Sequence, residues 1–335
     1  MTMKPKILSF APIPEPLLRQ MILSLPEASE LPEFDVVVIN ELDMERILKE
    51  VEDADIIIGD YTFRIPITEE MLERMRKVRL IQQPSTGYDH IDVDAAKKLN
   101  IPVANAGSVN ASSVAEHTIM VALALLKRLI HANQRMFEGA WAQQEMFRLG
   151  IYELHGKTWG ILGMGRQGRE VAKRLAGWGV RIIYYSRRRV REVEERHNAE
   201  FKPLDELLKE SDVISIHLPL TPETEKLIGE EELRMMKSNA ILINVARGGI
   251  VDEEALAKAL KEGWIGGAAV DVYSEEPVSR DHPLLKLGAG QVNLILTPHI
   301  AGATNEARLR ILNEALSNVV RVLKGEEARN VVNLE

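Results

Sequence analysis

The chain has no cysteine among its 335 residues, which excludes disulfide frameworks, thiolate metal sites and cysteine nucleophiles. A reducing compartment is compatible with that composition. Long hydrophobic runs are also missing. The best, 119–126, stops at Lys127 and Arg128, well short of the 18 or so residues that a membrane helix needs. The first six residues lack the apolar core of a signal peptide. Basic charge is in deficit: 42 Lys and Arg against 50 Asp and Glu leave a net charge of -8, which disfavours nucleic acid or an anionic membrane as the main partner. We therefore expect a soluble, cytoplasmic protein that needs neither partner. None of the eight histidines lies three or four residues from another, so a helical metal pair is absent and no metal is expected. Gly150, Gly156, Lys157 and Thr158 imitate a phosphate loop, but five residues separate the glycines where four are needed.

What is present is a rhythm of β-branched runs and amphipathic stretches. The length suggests two domains. Strands are expected at 6–10, 34–39, 55–58 and 80–83, with helices at 16–25, 43–51 and 68–75 between them. The rhythm restarts near Lys157, with strands at 158–162, 181–185, 213–217, 240–245, 266–271 and 293–297 and helices that include 167–178 and 253–260. The expected class is α/β, with two doubly wound parallel sheets covered by helices. Residues 112–137 read as one long apolar-rich helix joining the two, and 304–323 as a last helix that the pattern does not place.

The sharpest local motif is Gly163-Met164-Gly165-Arg166-Gln167-Gly168, after an apolar strand and at the start of a helix. Such glycines permit a tight turn, close approach of a pyrophosphate and close helix–strand packing, while the helix N-terminus supplies N–H donors. At the end of the next strand an acid would bind the ribose hydroxyls of NAD. Here Ser186-Arg187-Arg188-Arg189 offers a hydroxyl and guanidinium groups, which favours NADP(H) over NAD(H). The alternative is that these arginines pair with Glu192, Glu194 and Glu195 at a solvated helix start. Three later strand ends carry Arg247, Glu276 and His299. Ligands of open α/β sheets bind at that edge, where a His can move a proton, a carboxylate can orient it and an Arg can fork onto a carboxylate.

Together these blocks resemble the D-isomer-specific 2-hydroxyacid dehydrogenase family over nearly the whole chain. The matching pieces are Thr86-Gly87-Tyr88-Asp89-His90-Ile91-Asp92, the glycine turn, His217-Leu218-Pro219-Leu220-Thr221, and segments 244–252, 269–277 and 297–304. The resemblance implies a flavodoxin-like substrate-binding domain split into 1–105 and 298–335, with an NAD(P)-binding Rossmann domain of 106–297 inserted in it. It implies that His299 is the acid/base, Glu276 its hydrogen-bond partner and Arg247 the group that grips the substrate. Thr86 and Gly87 would complete the carboxylate site, and Tyr61 would select the substrate side chain. Cofactor contacts would come from Gly163 to Gly168 (Met164, Gly165, Arg166 and Gln167 included), Ser186, Arg187, Arg188, His217, Pro219, Thr224, Val245, Ala246 and Asp271. The implied reaction is hydride transfer from NADPH to a small 2-oxo acid of the glyoxylate or hydroxypyruvate type, in a homodimer. Gln167 departs from the family's aliphatic residue, and 108–116 reads closer to phosphoglycerate dehydrogenases. With no regulatory domain read after Glu335, control by serine feedback is not expected. The alternatives are 3-phosphoglycerate dehydrogenase and a non-catalytic, dinucleotide-sensing protein like the family's corepressors. Trp141 lies near the segment that crosses the dimer in relatives, or is a buried anchor.

Overall fold

A computed structural model describes residues 4–288, 290 and 292–334. The chain divides into two compact units, 1–110 with 305–335, and 111–304. The junctions expected at 105/106 and 297/298 fall slightly before these.

The first unit is a five-stranded parallel sheet: β1 (Lys6–Ser9), β2 (Asp35–Val38), β3 (Ile56–Ile58), β4 (Leu80–Gln82) and β5 (Val103–Ala104), in the order β2-β1-β3-β4-β5. This is the flavodoxin-like order. Side chains alternate between the faces. Leu8, Ile57 and Ile81 pack on one side with Ile47, Met71 and Ala96. Ile7, Ile56, Ile58 and Leu80 pack on the other with Leu18, Ile22, Leu316, Val319 and Val320. The last three lie on helix Asn305–Leu323, where Leu316, Val319, Val320 and Leu323 form one buried stripe. That stripe gives the unplaced last helix its position.

The second unit has seven parallel strands: β6 (Thr158–Leu162), β7 (Arg181–Tyr185), β8 (Glu200–Phe201), β9 (Val213–Ile216), β10 (Ile241–Asn244), β11 (Gly267–Val270) and β12 (Leu294–Leu296). Their order is β12-β11-β10-β9-β6-β7-β8. Trp159, Ile161, Ile182 and Ile243 face helices Ala111–Leu126 and Arg166–Leu175, and Leu162, Ile183, Ile214 and Leu242 face the opposite helices. Each fully buried side chain of this kind contributes roughly 1.5–3 kcal/mol. An i,i+4 pair such as Arg196–Glu192 contributes about 0.3–0.5 kcal/mol, so burial of these rows decides the fold.

The single helix expected over 112–137 is two helices, Ala111–Leu126 and Leu129–Phe137. They break at Arg128, which is left-handed at φ 49° and donates Nε to the carbonyls of Leu149 and Gly150 at 3.1 Å. The physical reason is burial: the first helix has a row of core residues, whereas the second buries none. Trp141 is no buried anchor, being 78% exposed. Among the described residues no helix is long and apolar enough to cross a membrane.

Candidate active site

The sheet of the second unit reverses its strand order between β6 and β9, and the glycine turn follows β6. Gly163 sits at φ +100°, and its N–H donates to the Tyr185 carbonyl at 2.8 Å. A Cβ on Gly163 would come within 2.6 Å of the His217 carbonyl, and one on Gly168 within 2.2 Å of the Gly163 carbonyl. Both glycines are therefore required by packing. A Cβ on Gly165 would meet nothing within 4 Å, so that position opens onto space. Gly165 begins helix Arg166–Leu175, and no side chain caps it. Its first-turn N–H groups and dipole make a site for an anion. Arg166 is exposed and Gln167 half-buried, whereas the Met164 side chain lies in the core and leaves only its backbone to a ligand.

At the end of β7, Ser186 donates its hydroxyl to the Arg188 carbonyl. Arg189 is committed to Glu194 at 2.8 Å. Arg187 and Arg188 are exposed and, among the described residues, have no carboxylate within ion-pair distance. The Arg–Glu pairing weighed as an alternative thus takes Arg189 and leaves the other two. After β9, His217 is buried, and burial pushes its imidazole down to about 3. Its Nε2 lies 3.1 Å from Ser215 Oγ, which also accepts the Trp159 indole N–H, while Nδ1 has no partner among the described residues. Thr224 donates to the Pro219 carbonyl at 2.7 Å and so closes the 219–224 turn. Val245 and Ala246 are buried after β10.

Three loops meet at the ends of β10, β11 and β12. His299 Nδ1 lies 2.7 Å from Glu276 Oε2, and Glu276 Oε1 accepts the Tyr273 N–H at 2.9 Å. Burial opposes ionisation of Glu276, but the hydrogen bonds from His299 and Tyr273 and the charges of His299 and Arg247 outweigh it. The carboxyl is held below its ordinary value of 4.5. An ionised carboxylate only accepts, so the His299 proton sits on Nδ1 and Nε2 is the nitrogen left for exchange.

Asp271, buried at 1% exposure, holds the His299 turn together. Its carboxylate accepts the N–H groups of Ile300 and Ala301 at 2.9 and 2.8 Å and the Thr297 hydroxyl, and its carbonyl accepts the His299 N–H at 2.8 Å. His299 is left-handed at φ 55°, a conformation that a non-glycine residue keeps only when its surroundings impose it. Arg247 donates Nη1 to the Ala246 carbonyl at 2.7 Å, and Asn244 holds the Arg247 carbonyl at 2.9 Å. Its loop touches the Glu276 loop at Gly248, where a Cβ would stand 1.9 Å from the Tyr273 carbonyl carbon.

In the first unit, Tyr61 follows β3 and is 39% exposed, while Thr86 and Gly87 follow β4. Sequence reasoning missed Asp60, whose buried carboxylate accepts the Thr62 N–H and hydroxyl and the Arg64 and Ile65 N–H groups. An Asp two residues before a Thr in a turn is the available signal. The clamp made by Asp271 and the half-buried His117, whose Nε2 is 3.5 Å from Thr297 Oγ1, had no local signal.

A parallel sheet of this order, with a glycine turn at the point of reversal, defines a dinucleotide-binding α/β unit. Residues 119–301 match the family described as D-isomer specific 2-hydroxyacid dehydrogenase, NAD binding domain. The chain is 43% identical over 291 residues to a glyoxylate reductase of Korarchaeum cryptofilum, covering 86% of each. Its structure superposes on a glyoxylate reductase from Paecilomyes thermophila with a TM-score of 0.86, at 28% identity and 99% coverage of both chains. With a D-lactate dehydrogenase from Aquifex aeolicus, solved with NAD and lactic acid, the TM-score is 0.82, at 31% identity and 96% coverage of both. The chain belongs to the D-isomer specific 2-hydroxyacid dehydrogenase family.

Proposed function

We propose that the protein reduces a small 2-oxo acid of the glyoxylate or hydroxypyruvate type, with NADPH preferred to NADH. The observation that carries this reading is the 2.7 Å contact between His299 and Glu276 at the C-terminal edge of a dinucleotide-binding sheet. The residues fit the cofactor: space opens at Gly165, the helix after it is uncapped, and Arg187 and Arg188 lack carboxylate partners among the described residues. The backbone of 163–168 would hold the pyrophosphate and Ser186, Arg187 and Arg188 the 2′-phosphate. His217, Pro219, Thr224, Val245, Ala246 and Asp271 would line the rest. When bound, the nicotinamide supplies the hydride for the 2-oxo carbon.

The chain's own residues do the remainder. His299 donates the Nε2 proton to the carbonyl oxygen, and Glu276 keeps Nδ1 protonated so that Nε2 is the nitrogen that turns over. Arg247 forks onto the substrate's oxygens and lowers the cost of charge developing there. The backbone N–H groups near Thr86 and Gly87 bind the carboxylate, and Tyr61 limits the side chain. Phe137, 87% exposed, and Trp141, 78% exposed, support a homodimer that covers them; light scattering at micromolar concentration should give twice the chain mass.

The deciding experiment is a panel of glyoxylate, hydroxypyruvate, pyruvate and phosphohydroxypyruvate, each with NADPH and NADH. Glyoxylate or hydroxypyruvate with NADPH should give the highest kcat/KM. No oxidation of either cofactor on any acid would refute the reading, and a preference for phosphohydroxypyruvate would favour 3-phosphoglycerate dehydrogenase.

A further inference from the structure

Two successive carbonyls after β4 are held by buried or half-buried side chains of the first unit. Gln83, fully buried, donates Nε2 to Ser85 Oγ at 2.8 Å, and Ser85 donates its hydroxyl to the Gly87 carbonyl at 2.6 Å. A carboxamide nitrogen only donates, so Ser85 must accept from Gln83 and its one proton goes to Gly87. Asn105, 8% exposed, donates Nδ2 to the Thr86 carbonyl at 2.8 Å and accepts the Gly107 N–H at 2.8 Å.

In a trans peptide the C=O and the following N–H point in opposite directions. Holding the Thr86 carbonyl on Asn105 therefore turns the Gly87 N–H away from it. Holding the Gly87 carbonyl on Ser85 turns the Tyr88 N–H away in the same manner. Among the described residues neither N–H has an acceptor in the protein. Two adjacent N–H groups without acceptors are donors left for an anionic ligand.

We propose that Ser85 and Asn105 are positioning residues that aim the N–H groups of Gly87 and Tyr88 at the carboxylate of the 2-oxo acid. This inference rests on the proposed reaction. It goes beyond that proposal by naming the two donors and the side chains that set their direction, and Gln83 fixes the sense of the Ser85 proton.

The test uses oxamate, the unreactive amide isostere of a 2-oxo acid, with the full chain and NADPH. In the wild type, oxamate should shift the backbone amide resonances of Gly87 and Tyr88. Ser85→Ala should weaken oxamate binding about tenfold or more, the effect of misaiming one charge-assisted hydrogen bond. It should raise KM for glyoxylate with little change in kcat and none in NADPH affinity. Ser85→Thr, which keeps the hydroxyl, should restore binding. Asn105→Ala should act in the same direction, with the thermal midpoint recording any loss of fold. Unmoved Gly87 and Tyr88 resonances, or wild-type oxamate affinity in Ser85→Ala, would overturn the inference. Failure of the proposed reaction would show differently, as a wild type that oxidises neither cofactor. The oxamate measurements would still decide the carbonyl clamp in that case.

Discussion

His299 Nδ1 and Glu276 Oε2 lie 2.7 Å apart, and the second Glu276 oxygen is tied to the Tyr273 N–H, so the imidazole plane is set by a carboxylate that is itself fixed. Glu276→Gln keeps an oxygen for Nδ1 but removes the charge. We expect kcat to fall about tenfold or more, with cofactor affinity unchanged by fluorescence titration. His299→Ala should cost about 10²–10⁴-fold in kcat. A fully active His299→Ala enzyme would remove that residue from the chemistry.

The same carboxylate predicts a pH effect. Its folded value is depressed, so what ionised Glu276 contributes is complete above its ordinary 4.5 and is lost as pH falls through the lower folded value. The acid limb of kcat/KM that depends on this group should lie below pH 4.5. Glu276→Gln should lack that limb. An identical acid limb in the variant would assign it to another group.

Gly248 has no room for a methyl group. A Cβ there would sit 1.9 and 2.0 Å from the Tyr273 carbonyl carbon and oxygen, which are backbone atoms and cannot rotate away. Gly248→Ala should cost about 1–3 kcal/mol in stability. It should also separate the Arg247 loop from the Glu276 loop, so KM for the acid should rise more than the loss of stability explains. Thermal unfolding measured beside kinetics at 25 °C checks both parts.

Arg187 and Arg188 are exposed beside the glycine turn, while neighbouring Arg189 is spent on Glu194. Replacing both by Ala should raise KM for NADPH about tenfold or more and leave KM for NADH nearly unchanged. The matched variant Arg189→Ala should alter neither by much. Equal losses with both cofactors would assign the two arginines to general electrostatics.

His217 should mark the acid stability of the second unit. Burial depresses its imidazole to about 3, while the unfolded chain takes up a proton near the ordinary 6.5. Stability from this residue is therefore complete above pH 6.5 and declines as pH falls toward 3. The melting temperature of His217→Gln should vary less across that window. A variant with the wild-type slope would place the acid sensitivity elsewhere.

Strands with three or more β-branched or aliphatic residues in succession were legible because both faces of each sheet are covered. Ile56, Ile57 and Ile58 alternate between two cores and so are all apolar. The two-residue strands Val103–Ala104 and Glu200–Phe201 were not legible, being too short to show a period. The break at Arg128 had a visible sign, the stop of the apolar run at Lys127. Apolar residues continue past it in helix Leu129–Phe137 without being buried, so apolar content alone does not mark the break. At the site, Arg247, Glu276 and His299 could be found from their positions after strands. Asp271 as the clamp of the His299 turn could not, because its partners at 297–301 come from a different strand end. The pattern of 304–323 showed a helix, but not that Leu316 and Val319 complete a sheet face begun at Ile7.

That last contact has a consequence for biosynthesis. Residues 111–304 form their own sheet and cores, and all of them leave the ribosome before helix Asn305–Leu323. One face of the first unit, lined by Ile7, Ile56, Ile58 and Leu80, is covered in part by Leu18 and Ile22 and is completed only by Leu316, Val319 and Val320. The inserted unit can therefore fold during synthesis, while the segment made before it keeps an incompletely covered apolar sheet face until helix Asn305–Leu323 has been made. Strands made before the inserted unit are thus fully buried only after it, and during that interval the nascent chain depends most on protection from aggregation.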